Sequence, residues 1–185
     1  MRKEVLSSIR DQMNRTQEHI RREFSSIRTG RASTSLLDSI DVEYYGSSVS
    51  LNQIANVSVP EPRLLLVTPY DKGALGSIEK ALLKSDLGLT PNNDGRVVRI
   101  PIPELTEERR KSLVKVVRRL AEDSRVALRN IRRDANDRIK KGEKNGDISE
   151  DESHRIMDEV QNVTNEYIEK VDELLKVKEA EIMEV

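Results

Sequence analysis

Between Arg118 and Lys141 the chain reads RRLAEDSRVALRNIRRDANDRIKK, with arginines recurring at helical spacing. At about 100° per residue, Arg118, Arg125, Arg129, Arg132 and Arg133 fall within roughly 100° of one another. The apolar line of the same segment (Leu120, Ser124, Leu128, Ile131, Ala135, Ile139) is centred about a third of a turn away. One flank therefore packs, and the next offers planar, permanently charged donors suited to phosphate. A solvated face neutralised by an acidic neighbouring helix is the competing reading. Arg125/Arg129, Arg129/Arg132 and Arg129/Arg133 are like-charge neighbours three or four residues apart, each costing roughly 0.2–0.5 kcal/mol. Nearby acidic relief reads as limited to Asp134 and Asp137, with an Asp134–Arg138 pair expected. These points favour an anion-binding surface. Without a basic arm or second motif for a DNA groove, structured RNA read by shape is the better ligand.

For catalysis the chain is poor. His19 and His154 lie on charged helical segments, outside any pattern that would build a triad or a zinc site, and read as surface histidines. There is no cysteine, hence no thiol nucleophile and no disulfide framework. Gly73 and Gly76 lack the GK[ST] ending of a phosphate loop, and Gly73 reads as a helix-start residue. Glu150-Asp151-Glu152 reads as helix capping rather than a cation site. No catalytic residue, metal or cofactor is expected.

The elements that must position the arginines follow from composition and periodicity. Charged residues make up 35% and aromatics 3% of the 185 residues, which suits long amphipathic helices in a narrow bundle rather than a thick aromatic core. The net charge of −1 hides an asymmetry: residues 106–144 hold 14 Lys/Arg against 7 Asp/Glu, and residues 148–185 hold 4 against 12. Helical stripes run through Val5, Ile9, Met13, Thr16, Ile20, Phe24 and Ile27, then from Leu113 through Val117 and the apolar line above, then through Ile156, Val160, Val163, Tyr167, Val171 and Leu174. Thr29-Gly30 closes the first helix. Thr106 caps the second, which ends near Lys141, and Ser149 with Glu152 forms a capping box for the third. Gly142 and Gly146 belong to the connection between the last two helices.

Residues 31–104 read instead as short strands (Asp41–Gly46, Val57–Pro60, Leu64–Thr68, Arg96–Ile100) around one helix, Gly73–Lys84, with Leu75, Ile78, Leu82 and Leu83 inward. The fold class is α+β. An antiparallel three-helix bundle comprises residues 1–30 and 105–185, and a small β/α/β domain, residues 31–104, is inserted on a two-strand hinge at Gly30, Pro101 and Pro103. Neither a signal peptide nor a membrane span is visible, so no membrane partner and a cytoplasmic location are expected.

Arg28-Thr-Gly-Arg-Ala-Ser33, Leu83-Lys-Ser-Asp-Leu-Gly-Leu89, Leu105-Thr-Glu-Glu-Arg-Arg-Lys111 and above all Val126-Ala-Leu-Arg-Asn-Ile-Arg-Arg-Asp-Ala-Asn136 resemble bacterial ribosome recycling factor, in order and over essentially the whole chain. The resemblance implies an L-shaped molecule with a tRNA-like outline. It implies a monomer that acts with elongation factor G and GTP to split post-termination ribosomes into subunits. It also implies that Arg129, Arg132 and Arg133 contact large-subunit ribosomal RNA, with Arg125 in support and Arg28 and Arg31 as further motif arginines. The exposed side of the inserted domain near Tyr44 and Tyr45 is where the translocase would meet it, with no residue singled out. Glu104 stands where family members often carry another proline, so a looser hinge is expected. The C-terminal Ile182, Met183 and Val185 are expected to be buried at the bundle end. The alternative is a helical-rod adaptor that binds protein partners without RNA through the acidic third helix.

Overall fold

A computed structural model describes residues 1–184, so the expected burial of Val185 falls outside the described residues. In chain order the elements are α1 (Arg2–Ser26), a 3-10 turn (Thr34–Leu37), β1 (Asp41–Tyr44), β2 (Ser47–Ser50), α2 (Leu51–Ile54), β3 (Ala55–Glu61), β4 (Leu64–Pro69), a second 3-10 turn (Lys72–Ala74), α3 (Leu75–Lys84), β5 (Asn92–Asn93), β6 (Val98–Pro101), α4 (Glu107–Lys144) and α5 (Glu150–Met183). They form two compact units, Met1–Arg28 with Glu107–Val185, and Thr29–Thr106.

The first unit is a three-helix bundle of α1, α4 and α5. Met13, Ile20, Leu128, Ile139 and Ile156 are among its largest fully buried side chains. α4 runs antiparallel to both partners: Glu4 of α1 meets Arg138, and Asp172 of α5 meets Arg125. Stripe positions Thr16, Leu120, Ile131 and Leu174 differ from the periodic reading. Gln17 is buried where Thr16 was expected, Ala121 enters the core while Leu120 and Ile131 are half-buried, and Leu174 is half-buried. In each case the helix turns its geometric inner face to the core, whichever neighbouring residue is more apolar.

The helix ends also shift. α1 stops at Ser26 rather than Thr29-Gly30, and Ile27 is already extended with φ −82° and ψ 120°. Ser25 and Ser26 donate their hydroxyls to the carbonyls of Arg21 and Glu23, which competes with continuation of the helix. α4 passes through Gly142 and ends at Lys144. There Gly146 (φ 78°) closes a Schellman motif, with Gly146 N–H on Glu143 O and Asp147 N–H on Gly142 O. Gly142 is thus a core residue rather than a turn residue, because a Cβ there would lie 2.4 Å from the Met1 Cε. Ser149 Oγ accepts from Glu152 N–H at 3.2 Å, but the Glu152 side chain makes no reciprocal bond among the described residues. Ile182 is fully buried, whereas Met183 is 51% exposed, contrary to its expected burial.

The second unit holds a four-stranded antiparallel sheet in the order β3-β4-β6-β5 and a separate β1-β2 hairpin. Leu65 and Val67 of β4 and Val98 and Ile100 of β6 alternate onto the core face, where Ile78 and Leu82 of α3 cover them. Pro60 is tolerated because β3 is an edge strand. Leu83, expected inward, is 61% exposed, since Leu75, Ile78 and Leu82 set the buried stripe and Leu83 lies a step of about 100° beyond it. β2 and β5 carry little apolar signal of their own; β2 is recruited by the Tyr45-Gly46 turn, which pairs Tyr44 with Ser47.

Both ends of this unit are tied to the β3–β4 turn. Ala32 N–H donates to Pro62 O and Ile102 N–H to Arg63 O, each at 2.8 Å. The Arg63 guanidinium also pairs with Glu104. Gly30, at φ 76°, lets the first crossing lie against Leu105, whose Cγ would be 3.1 Å from an added Cβ. Pro101 is the last residue of β6, opposite Leu64, and Pro103 is exposed. Glu104, read from the sequence as a lost proline, is thus the ion-pair partner of Arg63.

Candidate nucleic-acid interface

The five arginines of the α4 flank have different surroundings. Arg118 donates from Nε to Glu179 at 2.5 Å. One heptad on, Arg125 gives Nε and Nη2 to Asp172 Oδ1 at 2.8 and 2.6 Å and Nη1 to Glu122 at 3.2 Å. Burial lowers the proton affinity of Arg125, but its hydrogen bonds to Asp172 and Glu122 outweigh this and raise it. Arg129 donates to Glu122 at 2.6 Å, and its hydrogen bond, followed by that of Arg125, holds the Glu122 carboxyl below its ordinary range. Acidic relief on this flank thus comes from Glu122, Asp172 and Glu179 rather than Asp134 and Asp137. Arg138 reaches Glu4 at 4.0 Å instead of Asp134.

These pairs form a ladder with a missing rung. Arg118 and Arg125 are seven residues apart on α4, and they meet Glu179 and Asp172, seven apart on the antiparallel α5. The next step brings Arg132 to the level of Asn165, a neutral residue. Arg132 is half-buried and donates Nη1 to Gln161 Oε1 at 3.1 Å, while Gln161 in turn donates to Asn165 at 2.8 Å. Arg133 is exposed and makes no hydrogen bond or ion pair with any described residue. One turn further, the Asn136 Oδ1 is buried with no partner among the described residues. Positive charge on this flank is consequently neutralised at the Arg118 end and left uncompensated at Arg132 and Arg133.

Arg28 and Arg31 are both exposed; Arg28 closes the same unit as the α4 group, whereas Arg31 belongs to the other. Periodicity on α4 alone missed Glu122, Gln161 and Asn165. The heptad match between the arginines of α4 and the acids of α5 was the available signal, once the two helices are set antiparallel. Among the described residues no group of His, Asp or Glu could hold a metal ion, and no helix is long and apolar enough to cross a membrane.

A family model named Ribosome recycling factor matches residues 20–183. The ribosome-recycling factors of Bacillus subtilis and Listeria monocytogenes are 56% and 57% identical over 185 residues, with all of each chain covered. A solution structure of ribosome recycling factor aligns with a TM-score of 0.77 at 38% identity, covering 100% of this chain and 98% of that one. The Thermus thermophilus factor, placed with Escherichia coli elongation factor G on the E. coli post-termination complex, aligns at 0.66 and 49% identity with 99% of both chains covered. With the family model spanning most of its length and relatives identical at more than half of their positions, the chain belongs to the ribosome recycling factor family.

Proposed function

We infer that the chain is a translation factor that, together with elongation factor G and GTP, disassembles post-termination ribosomes into subunits and frees them for a new round of initiation. Family membership supports this, as do the models of a 49% identical relative and elongation factor G bound to the post-termination complex. The protein works in the cytoplasm by binding and displacement, without catalytic chemistry of its own.

Its contact with large-subunit ribosomal RNA runs through Arg132 and Arg133, with Arg129 and Arg125 beside them and Arg28 and Arg31 as outlying contacts. The observation that carries this assignment is the missing acid opposite Arg132. A helix flank built only for solubility would continue the Glu179 and Asp172 series, whereas here the guanidinium charge is left for a ligand. Gly30, Pro101 and Pro103 flank the hinge. Residues 32, 102 and 104, beside these three, are held to the β3–β4 turn.

The test is polysome breakdown with elongation factor G, GTP and this protein, comparing wild type with Arg132→Ala. The variant should fold normally and release ribosomes at least tenfold more slowly, since a hydrogen bond to a charged group contributes roughly 1.5–3 kcal/mol. Equal rates from a folded variant would remove Arg132 from the interface.

A further inference from the structure

The second unit concentrates three of the chain's four tyrosines around one carboxylate. Tyr44 donates its hydroxyl to Asp71 Oδ2 at 3.0 Å and Tyr45 does so at 3.3 Å, while Tyr70 immediately precedes Asp71 in the chain. The Tyr44 and Tyr45 rings meet edge to face, with centroids 4.5 Å apart. Asp71 Oδ1 accepts from Gly73 N–H at 2.9 Å. The Gly73 amide and the two tyrosine hydroxyls hold the Asp71 carboxyl below its ordinary range, so it is ionised at neutral pH. No lysine or arginine reaches it among the described residues, so its charge is hydrogen-bonded but has no counter-cation.

Folding explains Asp71 and Tyr44, which cap the 3-10 turn and pin the hairpin. Tyr45 shares in this with a 3.3 Å hydrogen bond to Asp71 and an edge contact with the Tyr44 ring, but at a backbone cost. Tyr45 sits at φ 48° in a two-residue hairpin turn, followed by Gly46 at φ 79°. Such turns favour Asn or Asp before Gly, and a bulky residue with positive φ is costly there. Its side chain is 82% exposed, in a protein with only five aromatic residues. A strained, exposed aromatic beside an unneutralised carboxylate serves something outside the fold.

We propose that Tyr45 and Asp71 form a receptor for an arginine-bearing segment of a protein partner, the guanidinium stacking on the exposed Tyr45 ring and donating to the Asp71 carboxylate. Charge selects this occupant. A carboxylate repels RNA phosphate, while a guanidinium satisfies both the ring face and the acceptor capacity left on Asp71 Oδ1. Asp41, Glu43 and Asp86 line a pocket beside Tyr45 together with Lys80 and Lys84, three acids against two bases. The site lies in a different unit from the bundle arginines and does not depend on their contact with RNA.

The experiment places a photoreactive benzophenone amino acid at position 45 of the full chain, bound to purified post-termination ribosomes with elongation factor G, and identifies the crosslinked peptide or nucleotide. A crosslink to a protein segment carrying arginine supports the receptor; a crosslink to RNA, or none from bound protein, overturns it. In parallel, Tyr45→Asn should leave the melting temperature unchanged or raise it, because Asn accepts positive φ. It should also raise the protein concentration needed for half-maximal polysome breakdown by about tenfold, the scale of one lost cation–π contact. Tyr45→Phe, which keeps the ring, should retain most of the activity, and Asp71→Asn should match Tyr45→Asn. If Tyr45→Asn splits ribosomes like wild type, the site is not a receptor. Failure of Arg132→Ala to slow breakdown would leave this crosslink result unaffected, so the two assignments fail separately.

Discussion

Arg118 and Arg133 lie on the same flank of α4, fifteen residues apart, yet Arg118 is held at 2.5 Å by an acid of α5 and Arg133 meets none. The contrast runs along the whole seam. Toward the Arg118 end, each arginine has a carboxylate from α5 or from the preceding turns of α4. Toward the Arg133 end the facing residues are Gln161 and Asn165, which can orient a guanidinium without neutralising it. Whether an arginine's charge is neutralised is therefore decided by the residue opposite it on the antiparallel helix, not by its own type or its angle on the helix.

The largest effect expected from this contrast comes from emptying the uncompensated end. Arg132→Ala with Arg133→Ala should weaken binding to the large subunit by about a hundredfold or more, with the melting temperature of the bundle close to wild type. Arg118→Ala with Arg125→Ala should do the reverse, lowering the melting temperature while changing binding far less. Equilibrium binding beside thermal unfolding of both double variants separates the two ends; equal losses of affinity would abolish the distinction.

Filling the missing rung is the sharper test. Asn165→Asp places a carboxylate at the level of Arg132 and continues the series of Glu179 and Asp172. Affinity for the large subunit should fall about tenfold, since Arg132 would then lose an ion pair in order to meet phosphate. Salt titration reads the same difference without mutation. If only Arg132 and Arg133 displace counterions, affinity should fall about tenfold between about 50 and 200 mM salt; if four arginines do, the fall approaches about a hundredfold. The steeper slope would mean that Arg125 and Arg129 leave their acids when the protein binds.

Why this contrast is hidden from periodicity is instructive. The stripes of α1, α4 and α5 lay on the surface of the sequence because one apolar flank per long helix leaves a strong 3.6-residue signal. So did β4 and β6, whose alternating Leu65, Val67, Val98 and Ile100 fill one face. The hairpin strand Ser47–Ser50 was not legible, because its pairing comes from the Tyr45-Gly46 turn and not from its own side chains. At the site, the positions of the five arginines were legible and their partners were not. Glu122 pairs back along α4 over three and seven residues, and Asp172 and Glu179 belong to a helix whose register appears only once α4 and α5 are packed. Glu104 shows the same limit: read as a missing proline, it proves to be the partner of Arg63.

The smallest expected effect reports on the boundary between the two ends. Glu122 is shared by Arg125 and Arg129, and the Arg129 hydrogen bond is the largest cause of its lowered pKa. A carboxyl lowered by folding stabilises the native state at pH values above its unfolded pKa. That contribution is lost as pH falls through the lowered folded value, so it disappears on the acid side of the ordinary carboxylate range. Followed by carbon-13 NMR of the side-chain carboxyl, Glu122 in Arg129→Ala should titrate closer to the ordinary glutamate value, with Arg125 still holding it partly down. Arg133→Ala should not move it, because no contact joins Arg133 to this acid. If Arg133→Ala shifts Glu122 as much as Arg129→Ala does, then Glu122 neutralises the flank as a diffuse charge. The uncompensated end would then extend no further than Arg132.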